Sequence, residues 1–287
     1  QTTCEAVGRL RNYELPRVGT GIDQYYHNDM ANPDMPSYKL YIFVNTYVLS
    51  EEEKKVIHEK LRKDKAVAVW MYAPGFVRNN AEKKLSPSYI SALTGINVEM
   101  ICDCFDAAFR WDGAEHKISK DFDSRKLYGM FASRLENNWN LNVKMPYGHG
   151  KACENINFDT YLYPMFHVED KNAETLAHFA NTGLSAVAIK ECDGFTSIYY
   201  GSKYISHDVI RALAKFAGVN IYCDSDDVIY VGRNYITFHT TVAGEKTIKF
   251  PKPVTVTEVY ENKCYGENVT EITFSAYTGE TKMFQIE

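Results

Sequence analysis

The stretch VAVWMYAPGFV, residues 67–77, begins as an uninterrupted apolar strand and stops abruptly at the Ala-Pro-Gly of residues 73–75. A strand that is apolar on both faces is typical of a parallel sheet covered by helices. In many α/β enzymes a strand ending in such a turn presents the nucleophile, but no Ser or Cys occurs between Lys65 and Leu85. Pro74 has no amide hydrogen and a fixed φ, so we expect a rigid strand exit rather than a strained elbow with paired backbone donors.

Elements of an α/β sheet flank this stretch on both sides. Residues 38–45, YKLYIFVN, are apolar almost throughout and predict another parallel strand. Ser50, with Glu53 three residues later, is the reciprocal capping arrangement that begins a helix, and this helix leads into the strand quoted above. Ser86 begins a second helix, which Gly95 ends. Strand, helix, strand, helix in this order predicts right-handed crossovers and a parallel sheet.

The same patterns extend the predicted α/β region over the first two thirds of the chain. We expect helices at 2–13, 173–180 and 206–217, and strands at 22–26, 185–191 and 196–201. The last two strands are joined by the turn sequence Cys192-Asp193-Gly194. Residues 102–163 have weaker periodicity and many Asn and Asp, which favours an elaborated insertion with short strands.

The character of the sequence changes beyond Asn220. Short segments rich in Val, Ile, Thr, Tyr and Phe alternate with turn signals such as Ala243-Gly244-Glu245, and no helix fits there. We therefore predict a boundary near residue 223. The α/β domain would occupy residues 1–222, and a small antiparallel β-sandwich domain would occupy residues 223–287.

Composition and charge argue against several classes of partner. With 287 residues, of which 45% are hydrophobic and 24% charged, the chain can bury a sizeable core. The formal net charge of -5, with acidic and basic residues interspersed, argues against a nucleic-acid partner, because phosphate binding needs a concentrated basic surface. No run of about 18 apolar residues occurs, so no membrane partner is expected.

The cysteines and the first residues of the chain suggest expectations about its cellular location and its gene product. Seven scattered cysteines, an odd number, favour free thiols and a cytoplasmic location. The chain begins at Gln1 without Met or an apolar leader, so we expect a removed segment or a part of a longer gene product. Asn268-Val269-Thr270 matches a glycosylation acceptor, which has no meaning in a cytoplasmic protein.

Three residues around the predicted 192–194 turn are candidates for catalysis. Cys192 precedes a strand rather than a helix, so no helix N-terminus is expected to lower the pKa of its thiol. Glu191 and Asp193, at the mouth of the sheet, could transfer protons or cap backbone groups. Because none of these patterns makes a convincing catalytic set, we predict no catalytic residue in this chain.

Metal and cofactor sites have little support in the sequence. His149 and His167 could join Cys153 or Glu169 around a metal, but neither histidine has the i, i+4 partner that a helical metal site uses. Histidines that only form hydrogen bonds are the alternative. No glycine-rich phosphate-binding motif is present either. We therefore predict neither a metal nor a cofactor.

Aromatic residues are the remaining signal. The chain contains 21 Tyr, 15 Phe and three Trp. Several of them occur at predicted exits from the sheet: Tyr47, Tyr72, Phe76, Phe195 and Tyr199. Aromatic rings stack on the apolar faces of sugars and also anchor protein interfaces, so a rim of aromatic residues could do either, whereas most single rings only fill the core.

Three segments together resemble a known domain. They are residues 38–77, residues 85–99 (LSPSYISALTGINVE) and residues 186–222, which include AVAIKECDGFTSIYYG. In this order they resemble the trimerisation domain of the β-galactosidase-like glycoside hydrolases grouped with family 42. The strands after residue 222 resemble the small C-terminal β-domain of the same proteins.

This resemblance implies a fold and a role. The fold would be a flavodoxin-like or class I glutamine amidotransferase-like parallel sheet with helices on both faces, without the amidotransferase Cys-His-Glu set. The turn at 73–75 would then belong to an active-site scaffold reused for assembly. The resemblance also implies a catalytic (β/α)8 barrel, in cis or in trans, which carries the two catalytic Glu residues. This chain lacks such a barrel, so no family catalytic residue can be assigned to it.

The function that follows is a non-catalytic oligomerisation part of a carbohydrate-degrading enzyme, most simply a homotrimer. The residues expected to contact a neighbouring subunit or a carbohydrate are Asn45, Tyr47, Tyr72, Phe76, Arg78, Glu191 and Asp193. Two alternatives stay open: a free-standing amidotransferase-like hydrolase that uses Cys192 or Cys104, and a carbohydrate-binding module.

Overall fold

The chain forms two compact units. The computed structural model describes residues 2–103, 105–113, 115–120, 122–130 and 161–287. Unit 1 comprises residues 1–7 and 26–206, and unit 2 comprises residues 8–25 and 207–287. The domain boundary near residue 223 stays a prediction, while residues 207–222 group with the strands of unit 2. The predictions on Cys104, His149 and Cys153 lie outside the described residues.

The predicted helices are present except at 173–180. The α-helices of the described residues are α1 (Thr2–Arg9), α2 (Glu51–Asp64), α3 (Pro87–Thr94) and α4 (His207–Phe216). A π-helical turn, Leu10–Glu14, and a 3-10 turn, Leu15–Arg17, continue the chain after α1, and a second 3-10 turn spans His27–Ala31.

Local capping explains where α2 and α3 begin and end. Ser50 accepts a hydrogen bond from the Glu53 amide at 3.1 Å, and the Glu53 carboxylate accepts one from the Ser50 amide at 2.7 Å. These bonds satisfy amide groups that a helix leaves free in its first turn. Ser86 begins α3 by accepting from the Ser88 amide at 3.3 Å, and Gly95 ends it with a left-handed φ of 73°.

The described residues of unit 1 contain ten short strands. They are β1 (Leu40–Phe43), β2 (Val67–Met71), β3 (Val98–Ile101), β4 (Phe105–Asp106), β5 (Phe109–Arg110), β6 (Tyr161–Leu162), β7 (Met165–Val168), β8 (Glu174–Phe179), β9 (Ser185–Cys192) and β10 (Phe195–Tyr200). Eight form one sheet in the order β1-β2-β10-β9-β7-β3, with β8 beside β9 and β5 beside β8. Strands β4 and β6 pair with each other.

This sheet is mixed rather than parallel throughout. Strand β2 pairs in parallel with β1 on one side and with β10 on the other. The remaining pairs of the sheet, from β10–β9 to β3–β7 and β5–β8, are antiparallel. The predicted parallel sheet is therefore confirmed for the three strands β1, β2 and β10. The tight hairpin between β9 and β10 reverses the chain, so β9 runs antiparallel to the three parallel strands.

Two further predictions are wrong. The segment predicted as a helix at 173–180 is strand β8, which pairs with β9 through Glu174 and Ile189. The local helix propensity of this segment is weak, and pairing with the long strand β9 overrides it. Residues 22–26 form no strand, and all five are exposed, so their apolar alternation does not mark a buried face.

The core of unit 1 is built on Trp70 of β2. Its ring is fully buried and stacks on Phe43 of β1, with ring centroids 4.2 Å apart. The indole Nε1 donates a hydrogen bond at 3.0 Å to Ser197 of β10, and the Ser197 hydroxyl donates in turn to the Thr94 carbonyl at 2.5 Å. This chain of bonds satisfies the buried polar atoms and ties α3 to the parallel strands.

Unit 2 contains helix α4 and five antiparallel strands. The strands are β11 (Val228–Val231), β12 (Tyr235–His239), β13 (Gly244–Glu258), β14 (Lys263–Ala276) and β15 (Thr281–Ile286). All five belong to one hydrogen-bonded sheet, in the order β11-β12-β15-β13-β14, where the sequence predicts a sandwich. Register shifts between Lys249 and Thr257 interrupt the pairing of the long β13 and β14.

Phenylalanine rings form the centre of unit 2. Phe274 packs on Phe238 and on Phe284, with ring centroids 5.4 and 5.2 Å apart. Near this core the buried carboxylate of Asp227 pairs with the ammonium group of Lys246 at 2.7 Å. Asp227 also accepts from Ser225 and from the Thr241 amide, so its charge is compensated on several sides.

Two general properties of the described part of the chain complete the fold. None of its helices combines the length and the apolar character that a membrane crossing requires. Its four cysteines with described side chains, Cys102, Cys192, Cys223 and Cys264, are free thiols.

Candidate functional site

The carboxyl ends of the two parallel strands β1 and β2 carry unusual backbone conformations. Asn45, two residues after β1, has a φ of 57°, and Tyr72, directly after β2, has a φ of 62°. Phe43 of β1 pairs with Trp70 of β2, so Asn45 and Tyr72, which come just after these strands, lie at the same edge of the sheet. Asn tolerates this left-handed region, whereas a bulky residue such as Tyr rarely adopts it.

The strand exit has backbone strain at Tyr72 that the sequence does not predict. An active-site elbow also has a strained residue at the carboxyl end of a parallel strand, but it leads directly into a helix, whereas β2 is followed by a loop. The sequence predicts no such strain because of Pro74. The structure places it two residues earlier, where the proline ring imposes no restriction, since a proline restricts chiefly its own φ and the residue before it, Ala73.

Each polar atom of Tyr72 has a structural partner. Its amide donates to the Tyr200 carbonyl at 2.8 Å, and its carbonyl accepts from the Tyr199 hydroxyl. Its own hydroxyl donates to the Pro164 carbonyl at 2.6 Å. Burial of Tyr199, followed by the proximity of Tyr72, raises the pKa of the Tyr199 hydroxyl, so it remains a neutral donor. The strained residue is thus fixed in place and exposes no group that could attack a substrate.

The loops that follow β1 and β2 pair with each other. The Gly75 amide donates to the Thr46 carbonyl at 2.7 Å, and the Val77 amide donates to the Tyr47 carbonyl at 2.9 Å. Gly75 has a φ of 66°, and a Cβ atom there would lie 3.1 Å from a methyl group of Leu93. Glycine adopts this positive φ without strain, and a larger residue there would push against Leu93 of α3.

Four of the predicted residues come together at this edge. The Tyr47 hydroxyl donates to the Asn45 side-chain oxygen at 2.8 Å, and the Tyr47 ring packs edge-on against Tyr72 at 6.3 Å. Tyr72 and Phe76 both contact the buried ring of Phe166, with centroids 5.3 and 5.0 Å away. We call Asn45, Tyr47, Tyr72, Phe76 and Phe166 the aromatic cluster. These side chains are partly or fully buried, which is more typical of packing than of an open sugar platform.

Phe166 is the member of the aromatic cluster that was not predicted. It lies on β7, a four-residue strand in which every side chain is buried. The run MFHV, residues 165–168, is the sequence signal of that strand, but its pairing with β3 depends on residues far away in the chain.

Arg78 is engaged outside the aromatic cluster. Its guanidinium forms an ion pair with Glu51 at the start of α2 and lies 3.9 Å from the centre of the Tyr89 ring. The Arg78 charge is thus already compensated, and its contacts connect α2 with α3.

Glu191 and Asp193 do not lie at this edge, which corrects the prediction that they lie at the ligand-binding mouth of the sheet. In the parallel pairing of β10 with β2, Thr196 faces Val67, so the turn before β10 lies at the amino end of β2. Glu191 accepts a hydrogen bond from Thr196 at 3.0 Å, and the exposed Asp193 pairs with Arg62 at 3.3 Å. The antiparallel hairpin puts this turn opposite Tyr72, whereas a wholly parallel sheet would put it on the same side.

Two of the remaining reactive candidates, Cys192 and His167, lie among the described residues. Burial raises the pKa of the Cys192 thiol, which donates to the Thr94 carbonyl at 3.8 Å. His167 is buried, with its Nδ1 3.7 Å from a Glu169 oxygen. Within the described ranges no three His, Cys, Asp or Glu side chains converge as a metal site would require. Residues 104, 149 and 153 lie outside those ranges.

Comparison with known proteins gives a structural likeness only. No protein-family model matches the sequence, and no curated protein matches it. A β-galactosidase from Bacillus circulans sp. alkalophilus matches with a TM-score of 0.55 and 12% identity over 87% of this chain and 33% of its own length. Gan42B, a GH42 β-galactosidase from G. stearothermophilus, matches with a TM-score of 0.51 and 10% identity over 86% of this chain and 32% of its own.

A third match comes from an archaeon. The polyextremophilic β-galactosidase from Halorubrum lacusprofundi has a TM-score of 0.51 and 11% identity over 88% of this chain and 32% of its own. The chain therefore spans about a third of the length of these enzymes. At such low identity the likeness establishes a shared α/β and β-domain fold.

Proposed function

We propose that this chain is a non-catalytic, subunit-assembling part of a β-galactosidase-like glycoside hydrolase. The observation that carries the proposal is the strained exit of β2, which has a positive φ at the strand end, as active-site turns do, but places Tyr72 there with every polar atom engaged. The likeness in fold to about a third of three β-galactosidases supports the same interpretation.

Catalytic groups would come from elsewhere in the assembly. Most glycosidases use two carboxyl groups roughly 5–9.5 Å apart across the scissile bond. The aromatic cluster contains no carboxyl group, and Glu191 and Asp193 lie at the opposite sheet edge. A (β/α)8 barrel, in cis or in trans, would supply the acid pair, and unit 1 would be a glutamine amidotransferase-like scaffold beside it.

An exposed apolar patch supports assembly. Val48 and Leu85 are 47% and 53% exposed, and isolated bridges join each of them to Val77. Apolar side chains grouped beside a sheet edge are a common core of a subunit interface. We propose that a second copy of this chain covers the patch, with a trimer as the favoured state and a cytoplasmic location, where the free thiols stay reduced.

An amidotransferase-like hydrolase has weaker support. A cysteine nucleophile needs a lowered thiol pKa, whereas burial raises that of Cys192. Cys192 also lies at the opposite sheet edge from the strained Tyr72. At Cys192 the thiol and the strained strand exit therefore do not coincide, and Cys104 lies outside the described residues.

Light scattering and a hydrolysis assay on the 287-residue chain test the proposal. We expect a multimer that releases no nitrophenol from nitrophenyl β-galactoside. A monomer at micromolar concentration would contradict the assembly role. Turnover that disappears on changing one of the chain's own side chains would contradict the non-catalytic role.

A further inference from the structure

A polar groove of about 620 Å³ lies wholly within unit 2. The C-terminal end of α4, the segment 221–224 and the facing parts of β13 and β14 form its walls and floor. Small-molecule sites commonly measure roughly 300–1,000 Å³ and are mostly apolar. The size of this groove fits a small ligand, but its lining favours a hydrophilic one.

Two cross-strand pairs form the floor of the groove. Thr247 of β13 faces Thr273 of β14, and their hydroxyl oxygens are 3.0 Å apart. Lys249 faces Glu271 in the next pair on the same side of the sheet. Because side chains alternate along a strand, the residues between them point to the core, as the buried Ile248 does. The pleat therefore presents four polar side chains on one surface.

Tyr222 contributes the wall. Its carbonyl accepts a hydrogen bond from the Lys249 amide at 2.8 Å, which holds the segment 221–224 beside β13. Its half-buried ring packs edge-on against Phe250, with centroids 6.4 Å apart. Burial raises the pKa of the Tyr222 hydroxyl, which therefore stays neutral. The ring offers a fixed apolar surface beside a hydroxyl group.

The charges around the groove cancel. Lys215 and Lys249 are positive, and Asp224 and Glu271 are negative. All four residues are exposed, and none of them has an ion-pair partner in the part of the chain that the structure describes. Because the two positive and two negative charges balance, the groove has no net electrostatic preference for an anionic or a cationic ligand, and it offers charged hydrogen-bonding groups of both kinds to a neutral one.

A neutral sugar matches this set of groups. Each hydroxyl of a sugar can donate to a carboxylate or threonine oxygen and accept from an ammonium group. The apolar face of a sugar ring can stack on tyrosine. We infer that the unit 2 groove binds a neutral saccharide. The choice of a galactose-containing sugar as the first probe rests on the proposed function, whereas the groove chemistry requires only a neutral ligand rich in hydroxyl groups.

Isothermal titration of the full chain with lactose, cellobiose and maltose tests the inference. The variants Lys249→Met and Glu271→Gln each remove one charged partner from an exposed site, so folding should persist. Each is expected to weaken saccharide binding about tenfold, which corresponds to the loss of one hydrogen bond to a charged group. The matched control Glu267→Gln, also exposed on β14 but outside the groove, should bind like the parent chain.

Two results would overturn the inference. One is the absence of saturable binding for all three sugars. The other is equal affinity in the parent chain, in Lys249→Met and in Glu271→Gln. Light scattering on the same samples tests the proposed assembly role independently of sugar binding. Sugar binding by a monomeric chain would uphold the groove and contradict assembly, and a multimer without sugar binding would do the reverse.

Discussion

The carbonyl oxygen of Tyr72 accepts a hydrogen bond from the hydroxyl of Tyr199, a side chain that is fully buried on the neighbouring strand β10. This hydrogen bond fixes the strained residue at the end of β2 to the neighbouring strand of the sheet. A left-handed conformation at a bulky residue costs roughly 1–2 kcal/mol, so the surrounding bonds must offset it. Tyr199 is thus a structural support of the turn.

Removing that support should destabilise unit 1. We expect Tyr199→Phe to lower the free energy of unfolding by about 1–3 kcal/mol, because the Tyr72 carbonyl loses its buried donor. Urea unfolding monitored by fluorescence measures the change. The control is Tyr163→Phe, since the Tyr163 side chain is 70% exposed. Equal stability of the two variants would refute a supporting role for the Tyr199 hydroxyl.

The backbone strain at Asn45 predicts an order among substitutions. Asn45→Ala loses the acceptor of the Tyr47 hydroxyl and retains the left-handed φ of 57°, so it should cost about 1–2 kcal/mol. Asn45→Gly loses the same bond but relieves the strain, so it should cost less. Chemical denaturation of both variants checks the order. If Asn45→Gly were the less stable variant, strain would not govern this position.

His207 is expected to make unit 2 less stable as the pH rises into the alkaline range. Its Nδ1 lies 2.7 Å from Glu14 and its Nε2 lies 3.3 Å from Asp226, which Arg211 also contacts at 3.0 Å. Burial alone would lower the His207 pKa, but the hydrogen bonds and charges of Asp226 and Glu14 outweigh it and raise the pKa to about 9. The hydrogen bond from His207 is the main cause that lowers the pKa of Asp226.

The sign of the pH effect follows from this raised pKa. The stabilisation is complete below the ordinary histidine pKa of 6.5 and disappears as the pH rises through about 9. It should amount to on the order of 2–3 kcal/mol. Urea midpoints between pH 6 and pH 10 should fall for the parent chain and change much less for His207→Gln. The exposed His239→Gln serves as the control, and a parallel fall in His207→Gln would exclude His207 as the cause.

The buried ion pair of unit 2 predicts an asymmetric cost. Lys246→Met would leave the Asp227 carboxylate, 1% exposed, without its 2.7 Å partner and should cost about 3–5 kcal/mol. The double variant Lys246→Met with Asp227→Asn removes both charges and should recover part of that loss. Thermal unfolding at pH 7 measures both. A double variant less stable than Lys246→Met would show that the pair itself, rather than the unpaired charge, dominates.

The apolar patch predicts the effect of charge on assembly. Val48→Asp combined with Leu85→Asp should shift the chain to a lower mass, because a desolvated interface does not accept unpaired carboxylates. Sedimentation velocity measures the shift. Val242→Asp, at a position 68% exposed in unit 2, is the matched control. An unchanged mass for the double variant would place any subunit contact elsewhere.

The sequence by itself determined the elements whose signals lie within a few residues. The Ser50 and Glu53 pair, the Ser86 and Gly95 ends of α3 and the apolar β2 are present as predicted, because capping and strand apolarity depend on neighbouring positions. The strand-only character after residue 220 is confirmed for the same reason. The grouping of Asn45, Tyr47, Tyr72 and Phe76 also follows from the ends of two adjacent parallel strands.

Only the tertiary structure decided which strands pair and in which direction. The segment predicted as a helix at 173–180 is a strand because it pairs with β9, for example through Glu174 and Ile189. The β9–β10 hairpin places Glu191 and Asp193 at the sheet edge opposite Tyr72. Tyr72, with its left-handed φ, is held by a hydrogen bond that it accepts from Tyr199 and one that it donates to Tyr200, more than a hundred residues later in the chain. Contacts between such distant residues leave no local periodicity, because they form only when the folded core brings the strands together.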